Sequence, residues 1–270
     1  MPRPSHERRH LTAQPPAPAL LSVRELSRSF YGVHALRGVS FAVAAGTITA
    51  LIGPNGAGKT TAFQCITGVV PPEGGQVVFD GQDITGWRPE RITGAGLVRS
   101  FQIARGIPRL SVLDNLLLYA PRQPGEGLVT ALAGGGRAAE EQARQKALAI
   151  ARRLNLLAVA NNPAGALSGG QKKLLEIGRA LMAEPRMVLL DEPIAGVNPS
   201  LAEEIAEHLR ALRAEGVTFL VIEHHMDLIA RLCDPVIVMA EGRMLTEGSF
   251  AAIAADARVQ EAYMGRRRWA

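Results

Sequence analysis

The segment that leaves this chain least freedom is Gly53-Pro-Asn-Gly-Ala-Gly-Lys59-Thr60. It fits the pattern GxxxxGK[ST] and follows the apolar run Thr49-Ala-Leu-Ile52, so a buried strand is expected to pass into a glycine-rich loop and then a helix. Successive backbone N–H groups of such a loop curl around the β- and γ-phosphates of a nucleotide. Lys59 adds a positive charge there, and the Thr60 hydroxyl is a ligand for Mg²⁺. Nucleotide binding is the expectation from this stretch alone.

Two further apolar runs end abruptly in polar residues: Met187–Leu190 before Asp191 and Glu192, and Phe219–Ile222 before Glu223 and His224. Short continuous apolar runs of this kind mark strands buried on both faces. In open parallel sheets ligands bind outside the carboxyl ends of the strands. The three strand ends therefore predict one edge carrying the loop, Asp191, Glu192 and His224. Asp191 would hold Mg²⁺ through its water. Glu192 is the candidate general base for the attacking water, a role worth about 10²–10⁴ in rate. His224 is a candidate contact for the γ-phosphate. Adjacent carboxylates also cap helices, and a histidine at a strand end is often structural; their combination with the loop favours the catalytic reading. His225 points to the other face of an extended chain and reads as solvated or structural. The amide of Gln102 offers a donor and an acceptor, which suits ordering Mg²⁺ and the water. Tyr31 lies 22 residues before Gly53; its ring is a plausible platform for adenine, and by spacing alone it fits core packing as well.

A second anion site is written at Leu167–Leu181, "LSGGQKKLLEIGRAL". Ser168, Gly169, Gly170 and Gln171 open an amphipathic helix whose first N–H groups have no intrahelical acceptor, and the small residues allow close approach. Elsewhere, "SVRELSRSF" and "VHALRGVSFAVAAG" alternate like antiparallel strands. From about residue 110 the pattern turns helical, and with the "LSGGQ" helix it forms an inserted helical subdomain of about residues 110–185. "SLAEEIAEHLRALRAEG" reads as a helix capped by Ser200.

Charge is informative by its placement. The formal net charge is +5, but residues 1–20 hold three Arg and one Glu, and Arg266–Arg268 add three positives. Setting the two ends aside leaves 24 basic and 24 acidic residues, so the folded part is neutral and offers no nucleic-acid groove. Residues 1–20 read as a disordered, Pro-rich leader without an apolar h-region, and residues 266–270 as a basic tail. Cys65 and Cys233 sit in apolar surroundings without CxxC spacing, which reads as core packing in a reducing compartment. No run approaches the ~18 apolar residues that a membrane span needs. The chain reads as cytosolic, working at a membrane only through others.

In order, Tyr31, "GPNGAGKTT", Gln102, "LSGGQ", "LLDEP", "AGVNP" and His224 resemble the ATP-binding cassette family over about residues 20–265. They match its adenine-stacking aromatic, Walker A, Q-loop, signature, Walker B, D-loop and switch histidine. The resemblance implies an α/β fold: a P-loop NTPase core (residues 21–265) with an N-terminal antiparallel β subdomain and the inserted signature subdomain. Gly53, Pro54, Asn55, Gly56, Ala57, Gly58, Lys59, Thr60 and Thr61 would then hold ATP, with Thr60, Gln102 and Asp191 around Mg²⁺. Two cassettes associate head to tail in this family, so Ser168, Gly169, Gly170 and Gln171 would complete the partner's ATP site.

"VIEHHMDLI", "VQEAYMG", "GLVRSFQIARGIPRLSVLDNLLL" and Asn198 in place of the usual D-loop aspartate resemble the subunits of branched-chain amino acid importers. Related cassettes for urea or short amides and for lipopolysaccharide export share parts of these signatures. A soluble cassette ATPase acting on DNA or ribosomes fits less well, because only 109 positions separate Lys59 from Ser168 and the core is neutral. The resemblance implies a second cassette (a copy or a paralogue, the latter favoured), two transmembrane permease subunits and, indirectly, a periplasmic or extracellular solute-binding protein, with no nucleic acid. It places the chain peripherally on the cytoplasmic face of the inner membrane. It also implies a groove for a permease helix, with Ile107 and Leu110 as floor and Arg105 and Arg109 around it; internal packing of Ile107 and Leu110 is the alternative.

Overall fold

The computed structural model describes residues 19–100, 107–121 and 137–264. Among these residues two sheets carry the fold. The first is antiparallel, in the order β2 (Val33–Ala44), β1 (Ala19–Phe30), β4 (Gly74–Phe79), β5 (Gln82–Asp83). The second runs β10 (Arg243–Gly248), β9 (Val236–Ala240), β3 (Ile48–Ile52), β8 (Thr218–Ile222), β7 (Met187–Asp191), β6 (Leu97–Arg99). Its neighbours are parallel except for β10, which turns back against β9. The helices are α1 (Lys59–Ile66), α2 (Pro89–Gly94), α3 (Val112–Leu117), α4 (Arg137–Arg153), α5 (Gly169–Met182), α6 (Pro199–Ala214), α7 (Met226–Leu232), α8 (Phe250–Ala255) and α9 (Ala257–Met264).

The two-residue period of the strands sorts the core into two layers. Leu51, Leu97, Leu189, Leu220, Ile222, Ile237 and Met239 face one way and pack on α1 and the antiparallel sheet. Ile48, Ala50, Ile52, Val98, Val188, Leu190, Phe219 and Val221 face the other way, into a layer built with α3 to α7. Both faces being covered is why β3 and β8 are buried at every position and apolar at all but one in each, Thr49 and Thr218. Truncating such a side chain, Leu51→Ala for instance, costs about 2–5 kcal/mol. The runs before Gly53, Asp191 and Glu223 are thus β3, β7 and β8, and they lie side by side in the order β3-β8-β7. Their carboxyl ends share one edge.

One expectation needs correction, and one open alternative is decided. Helix α6 is capped by Asn198, whose Oδ1 accepts from the Leu201 N–H at 2.9 Å, and not by Ser200. Pro199 takes the first helical position, where its fixed φ suits the helix and its missing N–H costs nothing, which moves the cap two residues earlier. Ile107 is 48% exposed, so its side chain is not part of the internal packing, while Leu110 is half-buried. The buried thiols of Cys65 and Cys233 are pushed up by desolvation, to about 11 and about 12. No helix among the described residues is long and apolar enough to cross a membrane. Residues 1–18 of the expected leader, the expected tail 266–270, Gln102 and Arg105 lie outside the described residues.

Candidate nucleotide site

The loop Gly53–Gly58 joins β3 to α1 and turns sharply. Gly53 has φ +152°, and a Cβ there would overlap the Met239 carbonyl of β9, so only glycine lets the loop lie against that strand. Lys59 is buried and donates from Nζ to the Gly53 carbonyl at 2.6 Å and the Pro54 carbonyl at 3.0 Å. Burial lowers its pKa, and the negative charges of Asp191 and Glu192 oppose that shift. The same balance shows that the loop and the end of β7 share one electrostatic neighbourhood. Asn55, Gly56 and Thr60 are exposed, and Thr61 is half-buried at the start of α1.

Glu192, the first residue past β7, has φ +52°, a left-handed conformation that costs a non-glycine residue about 1–3 kcal/mol. Two bonds hold it there: its N–H donates to the Ile222 carbonyl at 2.9 Å, and its Oε1 lies 2.8 Å from His224 Nε2. Both side chains are partly exposed, Glu192 at 45% and His224 at 42%, so the pair is open to an incoming ligand.

Two residues of this edge do not stand out in the sequence pattern. Glu223 is 2% exposed and accepts from the Ile194 N–H (3.2 Å), the His224 N–H (2.9 Å) and His225 Nδ1 (3.0 Å). One buried carboxylate thereby ties the turn that follows Glu192 to the turn that carries His224. His225 is the residue before α7 and is engaged with this carboxylate, a structural position. Arg99, the last residue of β6, donates from Nη2 to Asp191 Oδ2 at 2.8 Å. The only sequence signal for either was a charge directly after an apolar run.

At the second glycine pair, Ser168 caps α5. Its Oγ accepts from the Gln171 N–H at 3.2 Å, while Gln171 Oε1 accepts from the Ser168 N–H at 3.0 Å. Ser168 and Gly169 are exposed, and a Cβ on Gly169 would meet open space. Gly170 is buried, and a Cβ there would overlap Leu201 of α6. The helix α5 belongs to the core layer on the opposite face of the sheet from α1. The structure brings Lys59, Asp191, Glu192 and His224 to one edge and puts the Ser168 helix in the other layer. Tyr31 sits in the β1–β2 turn at φ +48° and is fully exposed, which excludes core packing. Its neighbour Phe30 is half-buried, with the Arg28 guanidinium 4.9 Å from the ring centroid.

A glycine loop between a parallel strand and a helix, with a paired glutamate and histidine at the neighbouring strand ends, defines a P-loop nucleotide hydrolase site. The ABC transporter family matches residues 36–195, more than half of the chain, and the chain belongs to that family of ATP-binding, ATP-hydrolysing cassettes. It is 40% identical over 246 residues to a protein of Archaeoglobus fulgidus named as a probable branched-chain amino acid transport ATP-binding protein, covering 91% of this chain and 95% of that one. Against the high-affinity branched-chain amino acid transport ATP-binding protein of Escherichia coli K12 it is 36% identical over 249 residues, covering 91% and 98% of the two. It is also similar to the solved ADP conformation of an ATP-binding cassette of an ABC transporter. The TM-score is 0.82 and the identity 39%, over 92% of this chain and 100% of the other.

Proposed function

We propose that this chain is the ATP-hydrolysing subunit of an importer of branched-chain amino acids. The observation that carries the catalytic reading is the 2.8 Å contact between His224 and Glu192 at the ends of adjacent strands, on the edge that also bears the Lys59 loop. The solute class rests on the names of relatives that match this chain over nearly their whole length.

In this reading Gly53 to Thr61 hold the phosphates of ATP, and Tyr31, with its ring fully exposed, stacks on adenine. Glu192 accepts the proton of the attacking water. His224, its Nε2 directed at the same space, orients that water and the γ-phosphate. Mg²⁺ suits the donors present, since the Thr60 hydroxyl and the Asp191 carboxylate are hard oxygen ligands, with Gln102 as a third by sequence. The ion would supply charge neutralisation on the phosphates.

Ser168, Gly169, Gly170 and Gln171 serve a second cassette, a copy or a paralogue, docked head to tail. The exposed start of α5 and its place across the sheet from α1 support that division. Its N–H groups then face the partner's γ-phosphate. The core cassette spans residues 21–265, with a helical subdomain at about 110–185. It lies peripherally on the cytoplasmic face of the membrane beneath two permease subunits, supplied indirectly by a solute-binding protein.

The test is uptake of labelled leucine, isoleucine and valine in cells deleted for this gene. Uptake is expected to fall and to be restored by the wild-type chain but not by Glu192→Gln. Unchanged uptake of all three, with loss of urea or amide uptake instead, would refute the solute assignment.

A further inference from the structure

We propose that Arg99 is a built-in counter-cation of Asp191 that sets how tightly the site holds its divalent metal. The inference rests on the reading in which Asp191 faces Mg²⁺. The Arg99 side chain is only 7% exposed, and its guanidinium lies 5.8 Å from the ring centroid of Phe63 in α1. It therefore sits in the wedge between the β6 edge, the end of β7 and the phosphate-loop helix. Its Nη2 bonds Asp191 Oδ2 at 2.8 Å, while Nε and Nη1 are buried without a hydrogen-bond partner among the described residues.

A buried cation with two unmet donors is a poor stabiliser. An apolar side chain of similar volume is often neutral or better for folding. What the arginine supplies is charge. Asp191 and Glu192 are adjacent carboxylates, and Arg99 neutralises the first of them without any metal. Lys59, which feels both carboxylates, is a second fixed cation of the same edge. A divalent ion approaching Asp191 must share its carboxylate with a positive charge that cannot withdraw into water. In a partly buried site such repulsion is weakly screened. Arg99 thus lowers metal affinity, and it keeps Asp191 in position while no metal is bound.

The experiment is a Mn²⁺ titration followed by electron paramagnetic resonance on the full chain saturated with a non-hydrolysable ATP analogue. Arg99→Met and Arg99→Gln, the second retaining a donor for Asp191 without the charge, are each expected to bind Mn²⁺ about fivefold tighter or more. Arg99→Lys should stay within about twofold of wild type. Unchanged or weaker Mn²⁺ binding in whichever neutral variant keeps the wild-type melting transition overturns the proposal. Asp191→Asn separates the two layers of argument. If it weakens Mn²⁺ binding while the neutral Arg99 variants do not tighten it, the counter-cation role alone fails. If it leaves Mn²⁺ binding unchanged, the placement of Asp191 at the metal fails, and the proposal with it.

Discussion

His224 Nε2 and Glu192 Oε1 lie 2.8 Å apart, a contact that joins the ends of β8 and β7 and that two separate structural devices maintain. One is the left-handed backbone of Glu192, pinned by the Ile222 carbonyl. The other is the Glu223 carboxylate behind both turns. Strain at one residue and a buried charge beside it are tolerated where geometry matters more than stability.

Glu192→Gln keeps the hydrogen bond to His224 within reach but cannot accept a proton from water. ATP binding is expected to persist while turnover falls by about 10²–10⁴. The cassettes should remain associated in ATP because the product state is not reached. Steady-state hydrolysis and sedimentation in ATP check both statements. Turnover within about twofold of wild type would contradict the role of Glu192 as general base.

Glu223 gives a sharper contrast, because its hydrogen bonds among the described residues come from backbone N–H groups and His225. Glu223→Gln replaces one acceptor oxygen with a donor and sets it against those N–H groups. The turns bearing Glu192 and His224 then shift relative to each other. The expected result is a fall in kcat of about 10–100-fold with nucleotide affinity near wild type. The lost acceptor should also destabilise the chain by about 1–3 kcal/mol. A variant that loses stability but keeps full kcat would make Glu223 a folding residue only.

Much of this edge was legible in the sequence, for a physical reason. Short apolar runs that end abruptly in polar residues favour strands covered on both faces, and β3, β7 and β8 are buried at nearly every position. The glycine loop could only follow such a strand. Relations between distant segments were not legible. That Glu223 reaches Ile194, or that Arg99 reaches Asp191 across 92 residues, depends on strand order, and local patterning carries no strand order. The cap of α6 failed differently. Asn198 and Ser200 are both good caps, and only the preference of Pro199 for the first helical turn decides between them.

The two glycine-rich segments should separate under mutation. Lys59→Ala removes the buried ammonium from its own loop, so the isolated chain should lose nucleotide affinity. Ser168→Arg adds bulk at an exposed helix start, where the cap bond to Gln171 is worth about 0.5–2 kcal/mol. Monomer binding should stay near wild type, while ATP-driven dimerisation and hydrolysis are blocked. Equilibrium binding and sedimentation compare the two. Equal loss of monomer affinity would mean that the Ser168 helix serves its own chain.

Where the cassette would meet its membrane partner can be approached from Asn115, which is fully buried. Its Oδ1 accepts from the Ile107 N–H at 3.0 Å and from Arg179 Nη2 at 3.0 Å, and its Nδ2 donates to the Ile107 carbonyl at 3.1 Å and the Ser111 carbonyl at 2.9 Å. The backbone from Ile107 to Ser111 is therefore held by Asn115 of α3, which the Arg179 side chain ties to α5. The Ile107 side chain, freed from holding the segment in place, is half exposed, and Arg109 beside it is exposed too. An apolar side chain displayed on a rigid backbone next to a cation suits a docking floor for an apolar helix with a polar rim. Ile107→Asp should leave folding within about 1 kcal/mol of wild type, because the side chain is half exposed and belongs to neither core layer. Nucleotide affinity should be unchanged for the same reason. Binding to the permease subunits should be lost, since the carboxylate would be buried against apolar surface without a partner. A thermal melt of the isolated cassette and co-purification with the membrane subunits measure the two effects separately. A variant that melts like wild type and still co-purifies fully would remove Ile107 from the interface.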